Sequence, residues 1–93
     1  MVIGLLTVEI YLPSVRSLKS KRQILKSIIT KVRNKFNVSI SETDNNDLWQ
    51  RASLSCCIVT NEAAYANQVM EKVVSEMGRN LDGEILDYRT EML

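Results

Sequence analysis

The sequence predicts an α+β domain in which two helices lie over one face of a four-stranded antiparallel sheet, in the chain order βαββαβ. Three observations carry that expectation. Apolar residues alternate with a period of two at the start and in the middle of the chain; two stretches instead repeat their apolar residues at helical spacing; and nothing resembling a linker or repeat separates them. This is the split βαβ pattern of a ferredoxin-like two-layer sandwich, whose expected sheet order is 4-1-3-2.

Residues 2–12 place Val2, Leu6, Val8, Ile10 and Leu12 on one side of a strand that Pro13 and Ser14 close. Over residues 17–34, Leu18, Leu25, Ile28, Ile29 and Val32 form a helical stripe, and Ser17 suits its N-cap. Phe36, Val38 and Ile40 alternate with Asn37, Ser39 and Ser41, and a second alternating run covers residues 52–60 after the polar stretch around Asp44, Asn45, Asn46 and Asp47; the pair predicts a hairpin with a long loop. Asn61 is placed to cap a second helix, with Ala66, Val69, Met70, Val73 and Met77 as its core stripe. Asp82-Gly83 then turns the chain into a last strand over residues 84–91.

A chain of 93 residues with 45% hydrophobic content suits one domain, residues 1–93. A domain of that size buries roughly 60 to 65% of its unfolded surface without metal or disulfide help. The two cysteines, Cys56 and Cys57, are neighbours in a strand, so they point to opposite faces and do not bridge, which fits a reducing, cytoplasmic setting. Neither a signal-peptide pattern nor an apolar run long enough to span a bilayer is present, so no membrane association is expected. Histidine is absent, which removes the usual general base and the commonest metal ligand. With no phosphate-binding glycine loop either, no catalytic centre, cofactor or metal is expected. Glu9, Glu42 and Arg51 are the charged residues an enzyme would have to use.

If the even residues of the first three strands face the helices, the odd ones form an open, serine-rich sheet face. Ile3, Leu5, Cys57 and Val59 then meet as one apolar corner, the expected interface of a homodimer.

The twelve cations are unevenly placed. Arg16, Lys19, Lys21, Arg22, Lys26, Lys31, Arg33 and Lys35 lie in a segment without a single acid, so its local charge is +8; four cations against eleven acids leave the rest at −7. At about 100° per residue, Lys19, Arg22, Lys26 and Arg33 fall within an arc of about 60°, opposite the apolar stripe. Charge runs are commonly solvated faces. A face kept for solubility, however, mixes signs, and cations near a helix N-terminus oppose its dipole, so this ribbon suits a bound polyanion. The stretch from Ser14 to Arg22 adds hydroxyls and free helix N–H groups, which suit phosphate. Lys21 falls within the arc of the apolar stripe near its start: either its stem overhangs the sheet edge and the ammonium reaches water, or it joins the phosphate site.

Trp49, the single tryptophan, enters the third strand in the run Asp47-Leu48-Trp49-Gln50-Arg51 and either folds onto the core margin or presents a stacking surface. An RNA-recognition motif would place aromatics at the centre of the open sheet face; here that face has only Tyr11, at a strand end. Base reading on the sheet is therefore not expected.

Three blocks, Leu18-Lys19-Ser20-Lys21-Arg22, Phe36-Asn37-Val38-Ser39 with Glu42, and Asp47-Leu48-Trp49-Gln50-Arg51-Ala52, resemble the small bacterial YlxP-like proteins of unknown function. The resemblance spans nearly the whole chain. It implies a ferredoxin-like fold, no known catalytic activity, and a genetic neighbourhood of transcription antitermination, translation initiation and ribosome-binding factor A. The resulting expectation is a non-enzymatic RNA-binding accessory protein of ribosomal RNA or the small ribosomal subunit, holding phosphates with Arg16, Lys19, Lys21, Arg22, Lys26 and Arg33, with Trp49 and Arg51 beside them. A homo-oligomeric interaction module using the open sheet face is the alternative.

Overall fold

A computed structural model describes residues 1–79 and 81–93. The elements follow in the order β1 (Val2–Tyr11), α1 (Leu18–Lys35), β2 (Ser39–Asp44), β3 (Arg51–Thr60), α2 (Ala63–Arg79) and β4 (Glu84–Met92). Ser17 caps α1: its backbone is extended (φ −158°) and its hydroxyl accepts the Ser20 N–H. That bond satisfies one of the donors a helix start leaves free.

Two boundaries differ from the sequence pattern. β2 begins at Ser39 rather than near Phe36, because the Phe36 N–H closes the last helical turn onto the Val32 carbonyl at 2.9 Å. Phe36 and Val38 pack against the core from the connection instead of from the sheet. Asn61 precedes α2 by two residues, and the local contact there runs from the Glu62 N–H to the Thr60 hydroxyl.

The sheet order is β2-β3-β1-β4, with antiparallel pairing throughout; read from the other edge, it is the expected 4-1-3-2. β1 is central because it is the most continuously apolar strand, covered on its helix side by α2. Its even residues Leu6, Val8 and Ile10 are fully buried, as are Ala52 and Leu54 of β3. They meet Leu25 and Val32 from α1 and Ala66, Val69, Met70, Val73 and Met77 from α2 in one core, so both helices lie on the same face. Each fully buried aliphatic side chain here contributes about 1.5–3 kcal/mol relative to exposure. The odd residues form the other face, with Ile3 opposite Val59 and Leu5 opposite Cys57.

Three connections gather at one end of the sheet. The Gln50 side chain donates to the Pro13 and Val15 carbonyls, the Leu12 N–H to the Gln50 carbonyl, and the Ser14 hydroxyl to Asp82. Gly83 fits under this end because it has no side chain: a Cβ would collide with the Tyr11 carbonyl oxygen and lie 3.1 Å from Leu12 Cδ2. Gly78, inside α2, has only Ile85 Cδ1 nearby, at an ordinary 3.5 Å.

These two positions predict opposite outcomes for one substitution. Gly83→Ala lowers stability by about 1–3 kcal/mol, since backbone has to move, whereas Gly78→Ala raises it by about 0.5–1 kcal/mol through helix propensity. Urea denaturation of both variants checks the signs.

Candidate functional site

Helix α1 turns its apolar stripe to the sheet, and that orientation fixes where its cations go. Arg22, Lys26 and Arg33 line one side of a groove of about 420 Å³ whose other side is the edge strand β2, through Ile40, Ser41 and Glu42. Leu25 and Ile29 contribute apolar surface between them, and Asn46 of the hairpin loop stands at one end. All three cations are exposed. Arg33 also donates to the Ile40 carbonyl at 3.0 Å, which ties the end of the helix to the edge strand.

Lys21 is not part of this ribbon. Only 1% of its side chain is exposed; the ammonium stands 2.8 Å from Glu42 Oε2 and donates to the Asn45 carbonyl at 2.6 Å. It neither reaches water past the sheet edge nor faces a phosphate site, because its stem enters the layer between helix and sheet, where a charge needs an internal partner. The carboxylate serves chiefly as countercharge: Glu42 Oε2 is buried and accepts no directed hydrogen bond.

The network extends beyond the pair. Asn45 occupies the left-handed region (φ 60°), a conformation asparagine tolerates well. Its side-chain amide donates to the Ser53 hydroxyl at 2.8 Å, and Ser53 donates to Glu9 Oε2 at 2.5 Å. The Leu48 N–H shares the Asn45 carbonyl with the ammonium, and Asp44 accepts the Asn45 N–H. Lys21, Asn45, Ser53 and Glu9 thus join α1, the hairpin loop, β3 and β1. Glu9 and Glu42 are consumed by this scaffold.

The chain matches, over residues 3–90, the family described as "Protein of unknown function (DUF503)". It belongs to that family. It is 40% identical over 73 residues to the "Uncharacterized protein YlxP" of Bacillus subtilis (strain 168), an alignment covering 78% of this chain and 79% of that protein. Among solved structures it is similar in fold to a de novo designed ferredoxin-fold protein, LFR1 1, with a TM-score of 0.59, 8% identity, and coverage of 100% of this chain and 83% of that one. The designed protein Foldit4 aligns with a TM-score of 0.52 and 16% identity over 97% of this chain and 94% of that one. Such low identities speak for the fold alone.

In this DUF503 chain the remaining expected site residues separate. Lys19 is exposed one turn before Arg22, on the ribbon's line. Arg16 folds its guanidinium back onto the Pro13 carbonyl at 2.9 Å. Trp49 does not fold onto the core: it is 52% exposed beside Leu48 at 51%, on the loop that the Lys21 network holds. Arg51 lies on the open sheet face, away from the helices and the groove. Lys35, at the far end of α1, is 2.9 Å from Glu76 of α2.

The apolar corner assembles in the expected register, but only Val59, 65% exposed, is strongly presented. Ile3, Leu5 and Cys57 are half-buried. Cys56 and Cys57 are both free thiols on opposite faces. Burial, and secondarily the neighbouring Cys57, pushes the Cys56 thiol up to about 11. Among the described residues, no cluster of three or more His, Cys, Asp or Glu side chains could hold a metal, and no helix is long and apolar enough to cross a membrane.

Sequence reasoning missed Asn45 and Ser53, although the polar run Asp44-Asn45-Asn46-Asp47 marks a turn able to hold a left-handed residue. Removing the ammonium tests the network. Lys21→Met leaves Glu42 largely buried without its countercharge and destabilises the fold by about 3 kcal/mol, or on the order of 15 °C in Tm. Lys26→Gln changes stability by less than about 0.5 kcal/mol, and thermal melts of the two variants check the contrast. For the thiols, native protein at pH 8 reacts with a maleimide at Cys57 first, and Cys56 reacts at a comparable rate only in denaturant; peptide mapping reads this directly.

Proposed function

We propose that the domain is a non-enzymatic, cytoplasmic RNA-binding accessory protein that holds a phosphodiester backbone in the groove between α1 and β2. One observation carries the reading: Arg22, Lys26 and Arg33 converge on a single groove whose only acid among the described residues, Glu42, is already neutralised by the buried Lys21. The groove therefore keeps its positive field, and cations facing one channel attract a polyanion far better than the same charges dispersed. Thr30 and Ser41 add hydroxyls able to bond phosphate oxygens. Among the described residues, no aromatic side chain lines the groove, which favours backbone contact over sequence reading. Free thiols support the cytoplasm, and the gene company of YlxP-like proteins supports ribosomal RNA as the class.

Trp49 is exposed on the loop whose Asn46 stands at one end of the groove, and it is the only tryptophan, so its fluorescence reports occupancy there. With Lys19 and the three groove cations neutralising about four phosphates of single-stranded RNA, log affinity falls against log salt with a slope near −3. Arg22→Gln with Lys26→Gln flattens that slope by roughly 1.4 and weakens unrelated sequences alike, while Arg51→Gln, on the other face of the sheet, leaves it unchanged. Fluorescence anisotropy with labelled RNA measures all three. An unaltered slope in the double variant, or no binding at about 50 mM salt, refutes the groove as an RNA site.

A further inference from the structure

The two edges of the sheet are treated differently. β2 is six residues long, is disrupted by a register shift between Glu42 and Asp44, and has Arg33 on its Ile40 carbonyl. Those are the devices by which native proteins blunt an edge. β4 is nine residues long and, from Asp87 to Met92, pairs with β1 in unbroken register. Among the described residues, no helix or loop covers its outer side, and all of its residues but Ile85 are exposed.

The direction of the β4 backbone groups follows from one bond. Leu93 N–H donates to the Ile3 carbonyl at 2.8 Å, continuing a register in which Gly4 faces Met92. In an antiparallel ladder, hydrogen-bonded pairs alternate with non-hydrogen-bonded ones. Arg89 and Glu91 therefore spend their backbone groups on β1, and Tyr88, Thr90 and Met92 turn theirs outward. The Tyr88 N–H agrees: it is taken by the Asp87 carboxylate at 2.9 Å.

Side chains then choose among pairings with an identical strand. A two-fold centred on Arg89 sets Arg89 against itself and Asp87 against Glu91, which is repulsive. A centre at Tyr88 runs into the register shift at Glu9/Ile10, and any register that pairs Tyr88, the Thr90 one included, moves its N–H from the Asp87 carboxylate to the partner strand. A centre at Thr90 sets Arg89 against the partner's Glu91 on the open face, twice. It also sets Tyr88 against the partner's Met92 on the helix side, where they are 40% and 41% exposed. Among the described residues, neither Arg89 nor Glu91 has an ion-pair partner within its own chain.

We propose that a second copy of this chain adds to β4, antiparallel about Thr90, to make a dimer with one continuous eight-stranded sheet. The interface is separate from the α1 groove at the opposite edge, so it stands or falls independently of RNA binding.

The test is sedimentation equilibrium on the full chain, with circular dichroism and thermal melts confirming the fold of each variant. Wild type is dimeric at about 100 μM. Arg89→Glu, which faces the partner's Glu91 with like charge, weakens the dimer at least about tenfold, and the exchange Arg89→Glu with Glu91→Arg restores it to within about threefold. Thr90→Pro, which removes an outward N–H while sparing the ladder to β1, abolishes it. A wild type still monomeric at about 1 mM overturns the proposal. So does a dimer that ignores the Arg89 reversal, and so does one lost on Val59→Asp alone, a change on β3 away from β4, which assigns the contact to the open sheet face.

Discussion

An ammonium with 1% of its side chain exposed has to find both countercharge and hydrogen-bond acceptors inside the fold, and in this protein Lys21 finds them on two other elements. Glu42 comes from β2 and the Asn45 carbonyl from the hairpin loop, so α1 can be seated only when both are in place. The net contribution of such a pair is small, because desolvation offsets most of the attraction, yet breaking it is costly. That asymmetry makes it a positional constraint. It sets how α1 lies against the β2 edge, holds Asn45 in its left-handed conformation, and through Asn45 orders the loop that displays Leu48 and Trp49.

The same pair shapes the electrostatics outside it. Glu42 is the acid on the groove wall, and had it faced Arg22 or Lys26 it would have cancelled one of them. Paired inward with Lys21, it leaves the outer cations uncompensated. A buried charge and an exposed ribbon on one helix thereby divide the work. One cation on the apolar side positions the helix, and those on the far side define a surface whose field reaches solvent until salt screens it within about 10 Å.

Sheet edges supply the second constraint on how the molecule meets others. β2 is short, register-shifted and occupied by Arg33, so the groove beside it is lined by side chains rather than by a free strand. β4 retains outward backbone groups and a row of opposite charges, Asp87, Arg89 and Glu91, on one face. The corner of Ile3, Leu5, Cys57 and Val59 lies on the same open face, but three of its members are half-buried, which leaves little apolar area to drive association.

Much of this was legible in the residues. Alternation in β1 and β3, the helical stripes of α1 and α2, the Ser17 cap and the turn at Gly83 are local signals, governed by periodicity and by backbone preferences that need no distant partner. That Ile3, Leu5, Cys57 and Val59 share one face followed from the same alternation, and the line of Lys19, Arg22, Lys26 and Arg33 from the helical period, whereas the register of Ile3 with Val59 is set by strand pairing. Where β2 begins was not legible, because Phe36 is as compatible with a strand as with the helix end that claims its N–H. Nor was the fate of Lys21: its place on the apolar arc was visible, but a lysine there can reach water or turn inward, and only the arrival of Glu42 and Asn45, more than twenty residues later in the chain, makes the inward choice affordable. The sequence by itself determined which residues form each face. The tertiary structure decided which charges are spent inside, since a desolvated ion is tolerated only where separate elements bring its partners within bonding distance.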